Sequence, residues 1–233
     1  MGNLQKSDET SELIDYLAQF VTPERWAKFQ NIILDRSRYM TIILEDIFQP
    51  HNASAVLRTS DCFGVQDVHI IENRNKYRVN PDVALGAAQW INLIRHDSAE
   101  NNTLPCFEHL KHKGYRIVAT TLHTNGYTLE NFPVEKGPFA LLFGNELEGL
   151  SETALQHADE YLKIPMVGFT ESLNISVSAG ICMHYLSMKI RQSGKAWELT
   201  ESEKQEILLL WLRNSLKNPE LIEKRYFSER VKK

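Results

Sequence analysis

The sequence predicts an α/β domain with a mainly parallel β-sheet. Short apolar runs of strand length alternate along the chain with longer amphipathic segments, as in a fold whose strands are connected by helices. Several runs, among them Met40–Leu44 and Phe139–Phe143, are continuously apolar, which is typical of strands buried on both faces of a parallel sheet. Around Pro165 and Gly168 a strand, a polar loop and a helix start follow one another, which is a common ligand-binding arrangement.

Residues 1–39 are predicted to form an N-terminal helical extension. The first helix is expected at about Ser11–Phe20. The second begins at Thr22, a residue type that caps helices, has Pro23 in its first turn, and ends near Asp35.

Residues 40–194 are predicted to form the sheet domain. Strands are expected at Met40–Leu44, Val65–Ile71, Trp90–Ile94, Tyr115–Thr121, Phe139–Phe143 and Tyr161–Ile164. Helices are expected at Ala53–Phe63, Val83–Ala88, Thr103–Lys113, Ser151–Ala158 and Asn174–Arg191. Asn52 is placed to cap the first of these helices, and Gly64 is placed to end it.

Residues 195–233 are predicted to form a C-terminal helical extension. Thr200 and Glu203 have the spacing of a capping box at the start of a helix over Thr200–Leu216. A basic helical tail follows Pro219.

Cysteine spacing, the length of apolar runs and the absence of nucleotide-binding motifs indicate where the protein is located and which cofactors it does not bind. The three cysteines lack the spacing of a metal site, and Cys182 lies on an apolar helix face, which favours a core position over a nucleophile. No apolar run is long enough for a membrane span, and the polar N-terminus does not resemble a signal peptide, so we expect a cytoplasmic protein. The dinucleotide motif G-x-G-x-x-G and the P-loop are both absent, which argues against a Rossmann cofactor site.

Cations cluster at three places although the net charge is −4. Such clusters, especially with an aromatic residue among them, suit phosphate and base contacts, although a solvated surface is the ordinary alternative. We therefore predict RNA contacts at Arg36, Arg38, Arg74, Lys76, Arg78, Lys224 and Arg225.

Three segments carry polar side chains at the ends of predicted elements. Asn52–Ser60 reads NASAVLRTS, Leu141–Ser151 reads LLFGNELEGLS, and Ile164–Gly180 reads IPMVGFTESLNISVSAG. Considered one at a time, these polar residues also have simple structural explanations. They are helix caps at Asn52, Ser172 and Asn174, a surface-turn carboxylate at Glu146 and an exposed helix cation at Arg58.

In this order the three segments resemble the signature motifs of the SpoU branch of the SPOUT RNA methyltransferases. The family pattern is N-x-[SA]-[SA]-x-x-R-T, then F-G-x-E-x-x-G, then I-P-M-x-G-x-x-x-S-L-N-[IV]-S-V, and the resemblance covers roughly Met40–Arg191. Within the family it is strongest to enzymes that methylate the ribose of a D-loop guanosine, guanosine 18, in tRNA. It implies S-adenosylmethionine as cofactor, a deep trefoil knot in the C-terminal part of the sheet domain, and a homodimer.

The resemblance also implies roles for individual residues. The catalytic set it implies is Arg58, Asn52, Glu146, Ser172 and Asn174. The donor-binding set is Thr120, Gly144, Asn145, Glu146, Gly149, Ile164, Met166 and Leu173. Arg58 is expected to position an RNA phosphate, since a guanidinium forks onto phosphate oxygens, and the family further assigns this arginine a role in removing the 2′-hydroxyl proton. No metal is required, because the methyl donor is already activated.

Two alternatives stay open at this point. A ribosomal RNA methyltransferase, or one acting on another tRNA position, would share the same core motifs. A noncatalytic knotted RNA-binding protein is a third possibility, although the joint presence of Asn52, Arg58, Glu146 and Asn174 argues against it. Glu171 stands where related tRNA enzymes often have glutamine, and the C-terminal tail matches the family only loosely, so the acceptor preference could differ.

Overall fold

The computed structural model describes residues 2–76, 86–122, 125–170 and 172–230, with side chains described from residue 9 onward. The chain divides into two compact units, one over Ser37–Trp197 and one made of Met1–Arg36 with Glu198–Lys233. Arg78 and Glu171 lie outside the described residues, as does the first half of the predicted helix Val83–Ala88. A 3-10 turn at Ala87–Gln89 follows in the described part. The domain boundaries proposed from the sequence stay a prediction.

A seven-stranded sheet forms the centre of the larger unit. Its strands are β1 Met40–Glu45, β2 Asp67–Ile71, β3 Asn92–His96, β4 Arg116–Thr120, β5 Tyr127–Thr128, β6 Phe139–Phe143 and β7 Glu160–Lys163. The order is β3-β2-β1-β6-β4-β7-β5, and all neighbouring pairs are parallel. The predicted α/β fold with a mainly parallel sheet is confirmed, and the trefoil knot stays a prediction. Strand β5 was missed because two residues are too short to give a periodic signal.

Most of the described helices lie close to the predicted positions, but the first begins nine residues before its predicted start at Ser11. They are α1 Gly2–Ala18, α2 Pro23–Ile32, α3 Pro50–Cys62, α4 Thr103–His112, α5 Glu152–His157, α6 Ile175–Gln192, α7 Glu201–Ser215 and α8 Pro219–Arg230. The predicted start of α3 is wrong: Gln49 is its N-cap and Pro50 its first residue, so Asn52 lies inside the first turn and does not cap it. Proline is favoured there because its missing N–H would have no helical partner. Gly64 follows α3 in the left-handed conformation, as predicted.

The alternation of side chains along each strand divides the core into two layers. In β1, Ile42 and Leu44 belong to the apolar cluster with α3 and α6, whereas Ile43 faces the cluster with α4 and α5. Strand β6 repeats the pattern, with Leu141 in the first cluster and Leu142 in the second. Both strands are buried along their whole length, which is why they read as continuous apolar runs.

A buried carboxylate holds two helix starts against the sheet. Glu45, at the end of β1, is 2% exposed and accepts hydrogen bonds from Thr103 Oγ1 at 2.7 Å and from Ser151 Oγ at 2.8 Å and N at 2.9 Å. Thr103 is the first residue of α4 and Ser151 caps α5. These bonds satisfy a charge that would be costly to bury alone, and they fix both helices on one side of the sheet.

Three imidazoles and a thiol meet between β2, β3 and α4. His69 Nδ1 lies 3.0 Å from His96 Nε2, and the ring of His109 lies 6.0 Å from each of theirs. His69, His96 and Cys106 each place a potential metal-ligand atom within 4.8 Å of the others. Because the two nitrogens at 3.0 Å already suit a hydrogen bond between neutral rings, we do not assign a metal here, and the predicted lack of a metal stays a prediction.

The buried His69, paired with His96, should make the stability of the fold decrease in acid. Burial, and the neighbouring His96, His109 and Lys113, lower the pKa of His69 to about 3. The unfolded imidazole has a pKa of about 6.5, so below that pH the unfolded chain binds a proton that the folded chain does not. The contribution of His69 to the free energy of unfolding is therefore complete above about pH 6.5 and is lost progressively as the pH falls toward 3. At pH 5 the free energy of unfolding is lower by about 2 kcal/mol.

Urea unfolding at a series of pH values from 7 to 5 checks this prediction. His69→Gln keeps a polar side chain that does not titrate, so its unfolding free energy should fall less steeply with decreasing pH than that of the wild type. Parallel curves for the two proteins would show that His69 does not bind the proton on unfolding.

The smaller unit is built by helices from the two ends of the chain. Its buried apolar side chains are Leu13, Ile14, Leu17, Phe29, Ile33, Leu199, Ile207, Trp211 and Leu212. The capping box at Thr200 and Glu203 is present as predicted. Arg230 of α8 forms ion pairs with Glu9 and Glu12 of α1, at 3.2 and 3.1 Å. The basic tail therefore also has a structural role in this unit. Among the described residues, no helix is long and apolar enough to cross a membrane.

Candidate active site

A cavity of about 580 Å³ lies at the carboxyl ends of strands β4, β6 and β7. Loops that follow parallel strands meet at one sheet edge, and ligands of open α/β sheets bind there. Every predicted donor-binding residue lines this cavity: Thr120, Gly144, Asn145, Glu146, Gly149, Ile164, Met166 and Leu173. So do four of the five predicted catalytic residues: Asn52, Glu146, Ser172 and Asn174. The structure thus brings together residues that are more than 120 positions apart.

A three-residue hydrogen-bond chain connects the three sequence motifs. Asn52 Nδ2 donates to Glu146 Oε1 at 2.7 Å, and Asn174 Nδ2 donates to Asn52 Oδ1 at 3.1 Å. Asn52 therefore stands between Glu146 and Asn174 and links them. Asn52 is 3% exposed, and its amide can serve both neighbours because it carries a donor and an acceptor.

The Glu146 carboxylate also holds the start of α3. It accepts from the backbone N–H of Phe48 at 3.1 Å and, more weakly, of Gln49 at 3.4 Å. A carboxylate is favoured there because the backbone N–H groups at a helix start have no helical partner and the helix dipole is positive. Glu146 is therefore placed to position Asn52 and its helix.

Asn174 performs two tasks with one side chain. Its Oδ1 accepts from Ser176 N at 2.8 Å and from Ser176 Oγ at 2.6 Å, so it caps α6 as predicted. Its Nδ2 remains available for Asn52. The cap and the predicted role at the site are therefore compatible, since each uses a different atom of Asn174.

The loop after β6 closes tightly on itself. Asn145 and Gly149 exchange backbone hydrogen bonds at 2.8 and 2.9 Å, and Gly149 has φ of 75°. A Cβ on Gly144 would lie 2.4 Å from backbone atoms of Gly149 and Leu150, so only glycine fits there. This close approach leaves the loop backbone facing the cavity, which fits a ligand held by main-chain groups.

The remaining lining matches a ligand with apolar and polar parts. Thr120 Oγ1 donates to the Leu142 carbonyl at 2.7 Å, which fixes the hydroxyl at the cavity wall. Gln49, Lys163 and Ser178 also line the cavity and were not predicted. Lys163 ends β7, so its place at a strand end could have indicated it. Cys182 is buried, and burial raises the pKa of its thiol to about 12, as expected for a core cysteine that is not a nucleophile.

Arg58 is the predicted catalytic residue that the structure does not bring to this cavity. It is exposed on α3 and is not among the described residues that line the cavity. Six residues of helix separate it from Asn52, which corresponds to about 9 Å along the axis and to a different face. Arg58 therefore lies outside the lining of the cavity in its own chain.

The predicted RNA-binding residues differ in their accessibility. Arg36 is 3% exposed and its guanidinium lies over the Trp211 ring at 5.3 Å, which argues against the predicted RNA contact. Arg38 is largely buried and forms an ion pair with Asp67 at 3.1 Å, which leaves it little capacity for phosphate. Exposed cations are found at Arg74, Lys76, Lys224 and Arg225.

Comparison with known proteins identifies the family. The model of the SpoU rRNA Methylase family matches residues 39–184. A protein of Borreliella burgdorferi named tRNA (guanosine(18)-2'-O)-methyltransferase is 44% identical, over 93% of this chain and 97% of the relative. A Thermus thermophilus protein of the same name is 31% identical, over 82% of this chain and 97% of its own.

Among solved structures, the A. aeolicus TrmH/SpoU tRNA modifying enzyme aligns with a TM-score of 0.73 and 28% identity. It covers 83% of this chain and 98% of its own. The family predicted from the three motifs is thereby confirmed, and so is the resemblance, within that family, to proteins named for guanosine 18 of tRNA. The chain belongs to the SpoU rRNA methylase family.

Proposed function

We propose that this protein is an S-adenosylmethionine-dependent RNA 2′-O-methyltransferase whose substrate is tRNA and whose target is the ribose of guanosine 18. The observation that carries the proposal is the chain Glu146–Asn52–Asn174, which joins all three family motifs at one cavity. Relatives that align over nearly their whole length are named for this reaction.

The cavity fits the donor in size and lining. Its volume lies within the range of small-ligand sites, and the Gly144–Gly149 loop brings backbone close to the ligand space. We assign donor binding to this loop, to Thr120 and to the apolar side chains of Ile164, Met166 and Leu173. When bound, S-adenosylmethionine supplies a methyl group on a sulfonium, so this chain needs to provide alignment rather than a covalent nucleophile.

The hydrogen-bond chain Glu146–Asn52–Asn174 orients the part of the site that receives the RNA ribose. Because the Glu146 carboxylate already accepts bonds from Asn52 and from the start of α3, we assign it a positioning role rather than that of a base. We assign Ser172 and Asn174 to the rim where the ribose enters. Arg58 is assigned to an RNA phosphate, which it can grip with two parallel hydrogen bonds.

We further propose a homodimer in which Arg58 serves the cavity of the partner. On α6, four large side chains form an exposed stripe at helical spacing, with exposed fractions of 48% for Val177, 38% for Ile181, 38% for Tyr185 and 49% for Met188. Their opposite face is buried against the sheet. An apolar stripe on the helix that packs beside α3 suits a two-fold interface, which would place Arg58 near a second copy.

Ile181→Glu should therefore separate the dimer. In a two-fold interface the substitution occurs twice, so two unpaired carboxylates would be buried against each other, and the dimer dissociation constant should rise about 100-fold or more. Light scattering over a concentration series measures this. His112→Glu, an exposed site on the other side of the sheet, is the control and should stay dimeric. A wild-type protein that is an active monomer would refute the proposal.

Labelled donor distinguishes the proposed substrate from its alternatives. The protein is incubated with total tRNA and with ribosomal RNA, and the modified nucleotide is mapped. We expect label in tRNA as 2′-O-methylguanosine at position 18. Label confined to ribosomal RNA or to another tRNA position would favour a different member of the family, and RNA binding without transfer would indicate a noncatalytic protein. We also propose a cytoplasmic location and no resident metal.

A further inference from the structure

A strained aspartate, Asp46, connects the cavity with the basic segment 72–76, which carries Arg74 and Lys76. Asp46 follows β1, is 9% exposed and has φ of 51°, in the left-handed region that side chains rarely adopt. Strained, buried positions of this kind persist only where surrounding bonds hold them, and they cluster at functional sites.

The carboxylate of Asp46 gathers three successive backbone N–H groups. Its Oδ1 accepts from Asn73 at 2.7 Å, Arg74 at 2.9 Å and, more weakly, Asn75 at 3.3 Å. A turn whose amides converge on one anion is held in a single backbone conformation. The backbone position from which the Arg74 side chain extends is therefore set by Asp46.

The backbone carbonyl of Asp46 connects this turn to the cavity loop. It accepts from Asn75 Nδ2 at 2.9 Å and from Asn145 Nδ2 at 2.7 Å. The other end of the Asn145 amide accepts from Leu147 N at 2.8 Å. One residue thus holds the basic segment and the Gly144–Gly149 loop in register.

An exposed ion pair bridges the same two segments. Arg74 Nη1 lies 2.7 Å from Glu148 Oε2, and both side chains are about two-thirds exposed, at 68% and 67%. Glu148 also lines the cavity. Such a pair is weak, worth about 1 kcal/mol or less, so a phosphate could take the arginine from it at little cost.

We propose that Asp46 is a positioning residue that holds Arg74 beside the active site for an RNA phosphate, and that Glu148 occupies Arg74 until that phosphate arrives. This rests on the proposed function, because it takes RNA as the ligand. Glu148 thereby imposes a cost on any RNA that must take Arg74 from it, and only a phosphate that reaches Arg74 in good geometry offsets this cost, so Glu148 acts as a specificity residue.

The Asp46 arm of the test separates positioning from backbone strain. Asp46→Asn keeps a side-chain oxygen and tolerates positive φ, whereas Asp46→Gly keeps only the φ. In the wild type and in Asp46→Asn, Arg74→Gln should weaken tRNA binding about tenfold to 100-fold, the range for one charged hydrogen bond. In Asp46→Gly the same Arg74 substitution should have almost no effect. An undiminished effect there would overturn the positioning role.

The Glu148 arm uses an exposed side chain and does not depend on the folding of Asp46→Gly. Glu148→Gln should tighten tRNA binding about twofold to fivefold, as expected for loss of an exposed ion pair. Removing a negative charge also reduces general repulsion, so the measurement is repeated with Arg74→Gln present. The gain should then disappear. A gain that persists, or an equal gain from Glu152→Gln on the neighbouring helix, would refute competition for Arg74.

Binding measured with tRNA and S-adenosylhomocysteine keeps this proposal separate from the enzymatic one. If the wild-type protein binds neither, the proposed function fails. If it binds both, and Arg74→Gln weakens tRNA binding equally in the wild type, in Asp46→Gly and in Glu148→Gln, only the inference about Asp46 and Glu148 fails. An unstructured RNA serves as the non-target probe. If Arg74→Gln leaves its binding unchanged, Glu148→Gln should leave it unchanged as well, and a gain there would indicate general repulsion instead of competition for Arg74.

Discussion

Arg58→Ala is expected to lower methyl transfer to tRNA about 100-fold to 10,000-fold, the range for loss of one group that aligns or activates a reactant. Binding of S-adenosylhomocysteine should stay unchanged, because Arg58 is exposed on a different face of α3 from the cavity. Single-turnover kinetics and calorimetry measure the two effects separately. Arg95→Ala, a partly exposed arginine on the edge strand β3, is the matched control and should keep normal turnover.

Near-normal turnover of Arg58→Ala would remove this arginine from the mechanism. Lost binding of the donor analogue would instead show that it supports the cavity. Neither outcome affects the family assignment, which depends on the match of residues 39–184.

Gly144→Ala is expected to weaken donor binding about 10-fold to 100-fold. The new Cβ would overlap backbone of Gly149 and Leu150 at 2.4 Å, and displacing packed backbone costs about 1–3 kcal/mol. Calorimetry with S-adenosylhomocysteine measures the loss. Gly168→Ala is the matched control, because a Cβ there has its nearest neighbour at 3.9 Å and should leave affinity unchanged.

Normal donor affinity in Gly144→Ala would show that the loop after β6 does not hold the ligand. A circular dichroism melt of both alanine variants distinguishes a local change from loss of the fold.

The two variants together test the dimeric site. A mixed dimer of Arg58→Ala and Gly144→Ala has one intact cavity facing one intact arginine, if Arg58 acts on the partner. Random exchange of subunits should then restore about a quarter of the wild-type rate. No restoration is expected if Arg58 acts within its own chain, because each subunit then lacks one essential part.

The succession of strands and helices along the chain could be predicted from local patterns. Hydrophobic runs of the β1 and β6 type are buried on both faces, so their burial was already visible in the apolar sequence. Caps and terminators such as Thr22, Gly64 and Thr200 act through nearby backbone groups, and their predicted roles are present in the structure. The three motifs likewise indicated the family, because residue type and spacing carry that signal.

Partners distant in the chain could not be predicted, because no local pattern specifies which side chains meet. Asn52 has the residue type of a helix cap, yet Pro50 starts the helix earlier and leaves the Asn52 amide to bridge Glu146 and Asn174. Arg36 has the residue type of an RNA contact, yet packing against Trp211 buries it.

Asp46 shows the same limit most clearly. Nothing in its sequence neighbourhood distinguishes it from an ordinary surface acid after a strand. Its importance arises from three amides of a segment almost 30 residues away and from the Asn145 side chain almost 100 residues away. Residue type and periodicity thus determined the fold class, and the resemblance of the three motifs indicated the family and part of the cavity lining. The geometry of long-range hydrogen bonds, which depends on how the strands are ordered in the sheet, decided which residues hold the others in place.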